Sequence, residues 1–390
     1  MRKPSACLQI VALILAVLRG ANAQWVIQDS HTTADLRGIH SIGNGVAWAS
    51  GANGTILRTT DDGDHWQLCT MPSGAEALEF RGIQAFDANT AIVMSSGKGD
   101  LSRLYKTTDA CHTWKLVFAN PDKDGFWDAL RFSKPWPKVE SETSGVLIGD
   151  PVAGTFSVFL TSDSGETWRR WGRRGFGWKG DCGERQPKAS KDEVLFAASN
   201  ESVFHFFSTN FLFVTGRRSG ARLAYSDLHD FDGPPCWTTF SSVRLPLARA
   251  GSSAGAFAVA AKNSTYFPLR LMVVGGDYMK PDDSSGNAAF LSSKEGAHLP
   301  PSSYFTVTTP VTPPHGYRSA VAYDAPTNTW ITVGPSGTDI SADDGLNWRA
   351  LKPAPADAPD ADKGWGALSL PFVVGPNGRI GKLRTVVTKP

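Results

Sequence analysis

Arginine recurs at one place in a short repeated phrase, and this recurrence is the first sign of chemistry in the chain. The phrase reads Leu36-Arg37-Gly38-Ile39, then Phe80-Arg81-Gly82-Ile83, and later Tyr317-Arg318-Ser319-Ala320. Guanidinium groups bind carboxylates and phosphates through paired hydrogen bonds, so arginines brought together by a repeat predict an anion site. A structural role, in which each arginine pairs with a nearby carboxylate, is an equally open interpretation.

Composition indicates which elements position these arginines. The 390 residues include 39 glycines, 25 prolines, 13 tryptophans and 21 phenylalanines, with only 19% charged residues. Such a mixture argues against disorder and against a helical bundle, and it favours many short strands joined by tight turns. The net charge of +2 provides no field that would draw nucleic acid or an anionic membrane, so neither is expected as a partner.

The N-terminus predicts export. Met1, Arg2 and Lys3 precede a short apolar run and an Ala21-Asn22-Ala23 site, which is typical of a secretory signal peptide. We therefore expect residues 1–23 to be removed, leaving 24–390 as a single domain in the periplasm or outside the cell. The apolar run is too short to span a bilayer, and no later one is longer, so no integral membrane segment is expected.

An octad containing Asp and Trp five residues apart occurs four times. Asp can cap a tight turn, Gly can supply its dihedral angles, and Trp can anchor the next strand, so we interpret the four aspartates as structural. The pattern resembles the Asp-box, or BNR-like, repeat of sialidase-like and other β-propellers. The four copies are residues 59–66, 107–114, 161–168 and 341–348.

Together the repeats predict an all-β, seven-bladed β-propeller. Each unit reads as four strands, with the octad between the third and the fourth, and spans roughly 40 to 60 residues. The last unit lacks its outer strand, which Gln24–Gln28 at the mature N-terminus would supply, closing the ring. An insertion falls at about 172–192. The units start near Leu36, Phe80, Trp127, Phe196, Gly255, Tyr317 and Trp365.

Propeller geometry then places candidate residues on one face, which we call the top. The first strand of each blade would begin at the mouth of the central channel, with Arg37, Arg81, Asp128, Ala197, Ala256, Arg318 and Gly366 around it. Asp150, Asp277, Tyr278 and Arg217 follow on strand ends and turns of the same face. We expect Arg37, Arg81, Arg318 and Arg217 to bind a ligand. The histidines lack metal-ligand spacing and no cofactor motif is present, so neither a metal nor a cofactor is expected.

Several phrases are similar to the photosystem II stability/assembly factor family. They are Ile148-Gly149-Asp150-Pro151-Val152, Phe196-Ala197-Ala198-Ser199-Asn200, Gly275-Gly276-Asp277-Tyr278 and residues 316–323. The resemblance implies a seven-bladed propeller that binds protein without catalysis, with Arg37, Arg81 and Arg318 matching that family's arginine patch. The lipobox cysteine is missing and nothing in the chain indicates a phototroph, so the partner, a protein or an anionic ligand, stays open. We expect a monomer.

The more distant resemblance to sialidases implies an alternative, a secreted glycoside hydrolase that uses the same face for a carbohydrate. Its arginines would grip a substrate carboxylate. Asp128, Asp150 or Asp277 would do acid/base work, and Tyr278 would be the nucleophile. The family's Arg-Ile-Pro phrase is missing, because Arg37 and Arg81 are followed by Gly-Ile. Whether the chain is an enzyme is therefore open, with the scaffold favoured.

Four cysteines remain after removal of the signal peptide, an even number that permits two disulfides in an exported chain. None has the spacing of a metal site. Cys69 and Cys111 fall in adjacent units, and Cys182 and Cys236 flank the fourth, so we expect these two pairings among the three connectivities.

Overall fold

The computed structural model describes residues 25–133, 143–171, 186–207, 210–226, 240–248, 251–262, 268–293 and 305–384. In these residues the chain forms seven four-stranded antiparallel sheets, arranged as the blades of a seven-bladed β-propeller. The predicted fold class is thereby confirmed.

The strands of the first three blades follow one another along the chain after β1 (Trp25–Gln28). Blade 1 contains β2 (Leu36–Gly43), β3 (Val46–Gly51), β4 (Ile56–Thr59) and β5 (Gln67–Leu68). Blade 2 contains β6 (Phe80–Ala85), β7 (Ala91–Ser95), β8 (Arg103–Thr107) and β9 (Lys115–Ala119). Blade 3 contains β10 (Trp127–Phe132), β11 (Gly145–Val152), β12 (Thr155–Thr161) and β13 (Arg169–Arg170).

The next three blades repeat this order. Blade 4 contains β14 (Val203–Phe207), β15 (Asn210–Thr215), β16 (Arg222–Ser226) and β17 (Phe240–Arg244). Blade 5 contains β18 (Ala254–Ala261), β19 (Arg270–Asp277), β20 (Ala288–Ser293) and β21 (Phe305–Thr308). Blade 6 contains β22 (Ala320–Asp324), β23 (Thr329–Gly334), β24 (Gly337–Ser341) and β25 (Arg349–Ala350).

Blade 7 combines the two ends of the described chain. Its inner three strands are β26 (Ala367–Ser369), β27 (Phe372–Val374) and β28 (Ile380–Leu383), and β1 pairs with β28 as the outer strand, with Trp25 opposite Leu383. Two 3-10 helices, Gly99–Leu101 and Asn200–Ser202, are the helical elements of the described residues. None of their helices has the length and hydropathy needed to cross a bilayer.

Burial explains the residue types of the strands. Every residue of β7 is buried, whereas both residues of the outer strand β5 are exposed. Blades pack face to face around the ring, so a central strand has an apolar neighbour on each side. In one such interface Ile92 and Met94 of blade 2 pack with Leu130 and Leu147 of blade 3. Central strands therefore consist of nearly continuous apolar residues.

The four octads form the same turn between the third and fourth strands. In blade 3, Asp163 Oδ1 accepts hydrogen bonds from Thr161 Oγ1 at 2.7 Å and from the Thr167 amide at 3.0 Å. The Gly165 amide donates to Thr161 Oγ1 at 3.0 Å. Ser164 and Gly165 adopt positive φ values of 56° and 84°. The first aspartates of the other three copies, Asp61, Asp109 and Asp343, accept the same two hydrogen bonds.

Octad turns lie at the same end of each blade as the turn between the first and second strands. The Asp62 amide donates to Gly45 O at 2.9 Å, and the Ala110 amide donates to Asn89 O at 2.9 Å. We call this end the bottom and the opposite end, where the inner strands begin, the top.

The disulfide between Cys69 and Cys111 is present, with a Cα–Cα distance of 5.4 Å, which confirms this pairing. It joins the end of blade 1 to the octad of blade 2. Cys111 stands where the other three octads have glycine, and its φ is 64°. Cys182 and Cys236, residues 1–23 and residues 172–185 of the predicted insertion lie outside the described residues.

Candidate functional site

One residue at the top of the inner strand bulges out of the sheet in several blades. Strand pairing is interrupted at Arg37, Arg81, Asp128 and Phe257 in blades 1, 2, 3 and 5. A bulged residue has no partner across the strand, and its side chain is re-aimed. These positions therefore present side chains at the channel mouth.

A close approach of backbone identifies the equivalent position in blade 6. A Cβ atom added to Gly149 in blade 3 would lie 2.2 Å from Phe126 O, and one added to Gly334 in blade 6 would lie 2.2 Å from Tyr317 O. Only glycine permits either approach. Phe126 and Tyr317 therefore occupy the same place in their blades.

This equivalence corrects the predicted ring at Arg318. Arg318, one residue after Tyr317, corresponds to the buried Trp127, and Ser319 corresponds to Asp128. The predicted alignment, which matched Arg318 with Arg37 and Arg81, is therefore shifted by one residue. Because a one-residue shift turns a side chain to the other side of a strand, Arg318 points into the blade.

A similar correction applies to blade 5, where the sequence predicts Ala256 on the ring. Ala256 pairs with Gly275 as Trp127 pairs with Gly149, and the bulged residue is Phe257. A large aromatic side chain thus replaces the small one that the sequence predicted.

Inside blade 6, Arg318 forms a structural ion pair rather than a ligand contact. Its side chain is fully buried, and its Nε donates to Asp339 Oδ2 at 2.9 Å. Its Nη1 donates to Tyr317 O and to Ser336 Oγ, both at 2.9 Å. The other oxygen of Asp339 meets His315 Nδ1 at 2.6 Å. We therefore remove Arg318 from the set of ligand-binding residues.

Arg37 and Arg81 lie together at the mouth and are incompletely paired. Arg37 Nη2 lies 3.6 Å from Asp35 Oδ2, and its side chain is 40% exposed. Arg81 Nη1 donates to Ala197 O at 3.2 Å. Among the described residues, the buried Nε atoms of both arginines have no hydrogen-bond partner. Burial lowers the pKa of Arg81, and the charge of Arg37 is the second cause, so two like charges are held close.

Buried Asp128 and half-buried Asp150 form a carboxyl pair beside these arginines. Asp128 is 2% exposed, and its Oδ2 has no partner among the described residues. Burial, and then the charge of Asp150, raise the pKa of Asp128 well above its usual range. Burial also raises the pKa of Asp150 to about 6, against the lowering effect of the Leu195 amide, which donates to Asp150 Oδ1 at 3.2 Å. The two carboxyl groups titrate as a pair.

Arg217 completes this group from blade 4. It is exposed, adopts a φ of 77° on the turn after β15, and its amide donates to Ala254 O at 2.7 Å. Its positive charge partly offsets the rise that burial causes in the pKa of both Asp128 and Asp150. We call Arg37, Arg81, Asp128, Asp150 and Arg217 the mouth cluster.

The chain before blade 4 crosses the channel mouth, which the sequence did not predict. The Val194 carbonyl accepts from the Gly216 amide at 3.0 Å, and Leu195 and Ala197 contact the mouth cluster as described above. Asn200 Oδ1 accepts from the Leu130 amide at 3.3 Å, while its Nδ2 donates to Ile83 O at 2.9 Å. We call residues 194–199 the mouth segment. Ala197 therefore does not begin the inner strand, which starts at Val203.

Asp277 and Tyr278 belong to a different part of the top face. Asp277 Oδ1 accepts from the Met279 amide at 3.0 Å, so its carboxylate caps a turn. Tyr278 is 46% exposed and meets the ring of Phe196 edge-on. The four catalytic candidates are thus divided into the pair Asp128 and Asp150 and the pair Asp277 and Tyr278.

A cavity of about 420 Å³ lies beside Asp150. Asp124, Asp192 and Glu193 also line it, but Asp128 and Asp277 do not. Glu193 is bound to Arg222 and, at 2.6 Å, to Thr215 Oγ1. In the described part of the chain, no group of three or more His, Cys, Asp or Glu side chains could hold a metal ion.

Comparisons with known proteins agree on the fold. No protein-family model and no curated protein matches the chain. The structure of YCF48 bound to D1 peptide is similar, with a TM-score of 0.55, 15% identity, and coverage of 93% of this chain and 97% of that one. YCF48 from Cyanidioschyzon merolae has a TM-score of 0.58 and 16% identity, and the match covers 93% of this chain and 99% of that one. The WD40 β-propeller domain of Doa1 has a TM-score of 0.52 and 9% identity, and the match covers 94% of this chain and 99% of that one. At these identities the likeness shows a shared fold.

Proposed function

We propose that this protein is an exported, non-catalytic scaffold whose top face binds an acidic group of a protein partner. Arg37, Arg81 and Arg217 would make the contact. The observation that carries the proposal is the mouth cluster, in which two neighbouring guanidinium groups lack full pairing. A buried or half-buried arginine with unused donors is well suited to take up a carboxylate.

Charge in the mouth cluster supports an anionic ligand. Three guanidinium groups face two carboxyl groups, and burial favours the neutral form of both carboxyl groups. The arginines are therefore only partly compensated by their own neighbours. An incoming carboxylate would supply the missing negative charge.

The two neighbouring YCF48 structures support a protein as the partner, since one of them is bound to a peptide. The signal-peptide pattern of residues 1–23 supports a partner in the periplasm or outside the cell.

The geometry supports a glycoside hydrolase less well. That reaction needs two carboxyl groups about 5–10 Å apart on either side of a pocket that fits a sugar. Asp128 does not line the cavity beside Asp150, Asp277 is used in capping a turn, and Tyr278 packs on an aromatic side chain. We therefore keep the scaffold as the proposal.

Binding of a labelled decaglutamate peptide, followed by fluorescence anisotropy, tests the proposal. Changing Arg37 and Arg81 together to alanine removes charge-assisted hydrogen bonds worth about 1.5–3 kcal/mol each, so we expect affinity to fall at least about tenfold. Arg349→Ala, an exposed arginine on the outer strand of blade 6, is the matched control and should bind as the native protein does. Equal binding by the double variant and the native protein would contradict the proposal.

A further inference from the structure

Two large apolar side chains project from the top face next to the mouth cluster. Tyr278 is 46% exposed and Met279 is 70% exposed. They occupy the tip of a turn that the Lys280 amide closes by donating to Asp277 O at 2.9 Å. We call Tyr278 and Met279 the apolar tip. Single exposed apolar residues are ordinary, but two adjacent ones at a rigid tip beside a charged cluster resemble the anchors of interfaces.

The apolar tip is held rigidly from below. The Asp277 carboxylate fixes the Met279 amide, and the Tyr278 ring meets the rings of Phe196 and Phe257 edge-on, with centroid distances of 6.3 and 6.1 Å. Those two rings stack on each other at 4.0 Å. A fixed aromatic side chain loses little conformational entropy when it binds, so this tip is ready to receive a partner.

Backbone hydrogen bonds place the apolar tip directly beside Arg217. The Arg217 amide donates to Ala254 O at 2.7 Å, and the Tyr278 amide donates to Ser253 O at 3.3 Å. Arg217 and the tip therefore flank the same two consecutive residues. The Gly216 amide, next to Arg217, donates to Val194 O at 3.0 Å, and the Leu195 amide donates to Asp150 Oδ1 at 3.2 Å, so the apolar tip and the mouth cluster form one continuous strip across the top face.

We propose that this strip binds an extended segment of a partner protein in which a large apolar side chain lies beside an acidic residue. The acidic residue would contact the mouth cluster, and the apolar side chain would pack on Tyr278 and Met279. The acidic half of this inference rests on the proposed function, and the apolar half is new. Two side chains match one anchor residue of a peptide, whereas a bilayer or a second propeller would need a wider apolar surface.

Selection from a randomised decapeptide display library tests the inference and does not require an identified partner. The native protein should enrich peptides that carry Asp or Glu together with Phe, Leu, Trp or Tyr. Met279→Ser should lose the apolar preference and keep the acidic one. Arg37→Ala with Arg81→Ala should lose the acidic preference. Val311→Ser, a change at a 79% exposed residue next to the octad of blade 6, is the control and should select as the native protein does.

Affinity of one selected peptide gives the quantitative outcome. Met279→Ser should weaken it by about fivefold or more, and Tyr278→Ala should weaken it further. Met279 is the safer variant because Tyr278 also packs on Phe196 and Phe257. Enrichment of acidic peptides with no apolar preference would overturn the inference and leave the proposed function standing. Absence of acidic enrichment would overturn both. The inference would also be overturned if the protein self-associates or binds lipid vesicles and Met279→Ser abolishes that binding.

Discussion

The octad turns and the mouth cluster use similar residues in opposite ways. In the turns, the first aspartate accepts hydrogen bonds from its own loop, and the bonds from His65 and from Thr113 lower the pKa of Asp61 and of Asp109 to about 2. In the mouth cluster, burial raises the pKa of Asp128 and Asp150, and polar atoms lack partners among the described residues. Polar groups with all their hydrogen bonds made stabilise the fold, whereas polar groups that lack partners mark a candidate ligand site.

Arg37 and Arg318 show the same contrast within one repeated phrase. Arg37 is half-buried at the mouth, and its nearest carboxylate is 3.6 Å away, whereas Arg318 is buried with every guanidinium nitrogen hydrogen bonded. A shift of one residue along the strand separates the two roles. Residue type and local phrase are therefore insufficient to assign an arginine to a site without the register of its strand.

The largest effect is expected from breaking the buried pair. Asp339→Ala leaves the Arg318 guanidinium buried without its counter-charge, so we expect the free energy of unfolding to fall by about 3–5 kcal/mol. Arg37→Ala at the mouth should change it by less than about 0.5 kcal/mol. Urea denaturation of both variants measures the difference. A variant with Arg318 and Asp339 both changed to leucine should recover much of the loss, and equal losses for Asp339→Ala and Arg37→Ala would contradict this contrast.

A smaller loss is expected from an octad turn. Asp163→Ala removes the acceptor for the Thr167 amide and for two hydroxyl groups, Thr161 and Thr167, so we expect a loss of about 1–2 kcal/mol. Asp150→Asn, which replaces a carboxyl group that burial already disfavours in its charged form, should cost less. Thermal unfolding of the two variants compares them directly. A larger loss for Asp150→Asn would show that the mouth cluster stabilises the fold more than the turn does.

The third effect concerns the one octad without glycine. With Cys69 changed to alanine, Cys111→Gly should be more stable than Cys111→Ala by about 1 kcal/mol, because Cys111 has a φ of 64° and glycine adopts that conformation without strain. Both double variants lack the disulfide, so their difference isolates the backbone. Urea denaturation measures the free energy of unfolding of both double variants. Equal values, or a higher value for the alanine variant, would show that the turn relaxes once the disulfide is absent.

The smallest expected effect is a pH dependence of binding. Below pH 6 Asp150 is mostly protonated and no longer neutralises part of the positive charge of the arginines. Affinity for an acidic peptide should therefore fall about two- to fivefold as the pH rises from 5.5 to 7.5. Because the pKa of Asp150 is raised in the folded state, its protonation also stabilises the fold at low pH, and this contribution is lost as pH rises through about 6.

Asp150→Asn is the variant that checks this pH dependence. Its affinity should change less between the two pH values than that of the native protein, and it should bind at least as tightly as the native protein at the higher one. Anisotropy titrations at both pH values measure it, and an unchanged pH dependence in Asp150→Asn would assign the titration to another group.

Sequence predicted the fold because the octad reports a local turn whose hydrogen bonds form within a single short loop. Arg37, Arg81 and Asp128 are predictable at the mouth because Leu36, Phe80 and Trp127 mark the start of their strands by type. The disulfide between Cys69 and Cys111 followed from the adjacency of two blades. These features depend on short stretches of chain and on the repeat.

Other parts of the site depend on contacts that no local pattern records. The register of blade 6 follows from Gly334 passing close to Tyr317 O, and the phrase around Arg318 lacks the Gly-Ile pair that marks blades 1 and 2. The mouth segment replaces the regular start of blade 4 and bonds to blades 2 and 3, far away in the chain. In the sequence, only the lack of a regular strand pattern before Val203 indicates this segment. No sequence pattern predicts the pairing of Arg318 with Asp339.

Asn200 links two blades through a residue that follows both of them in the chain. Its side-chain amide joins the backbone of Ile83 to that of Leu130, so a residue from the approach to blade 4 stitches blades 2 and 3 together. The bridge adds to the apolar interface that blades 2 and 3 already share. In chains truncated before residue 200 the Leu130 amide would lose this acceptor, so we expect it to exchange its hydrogen with solvent faster than in the full chain.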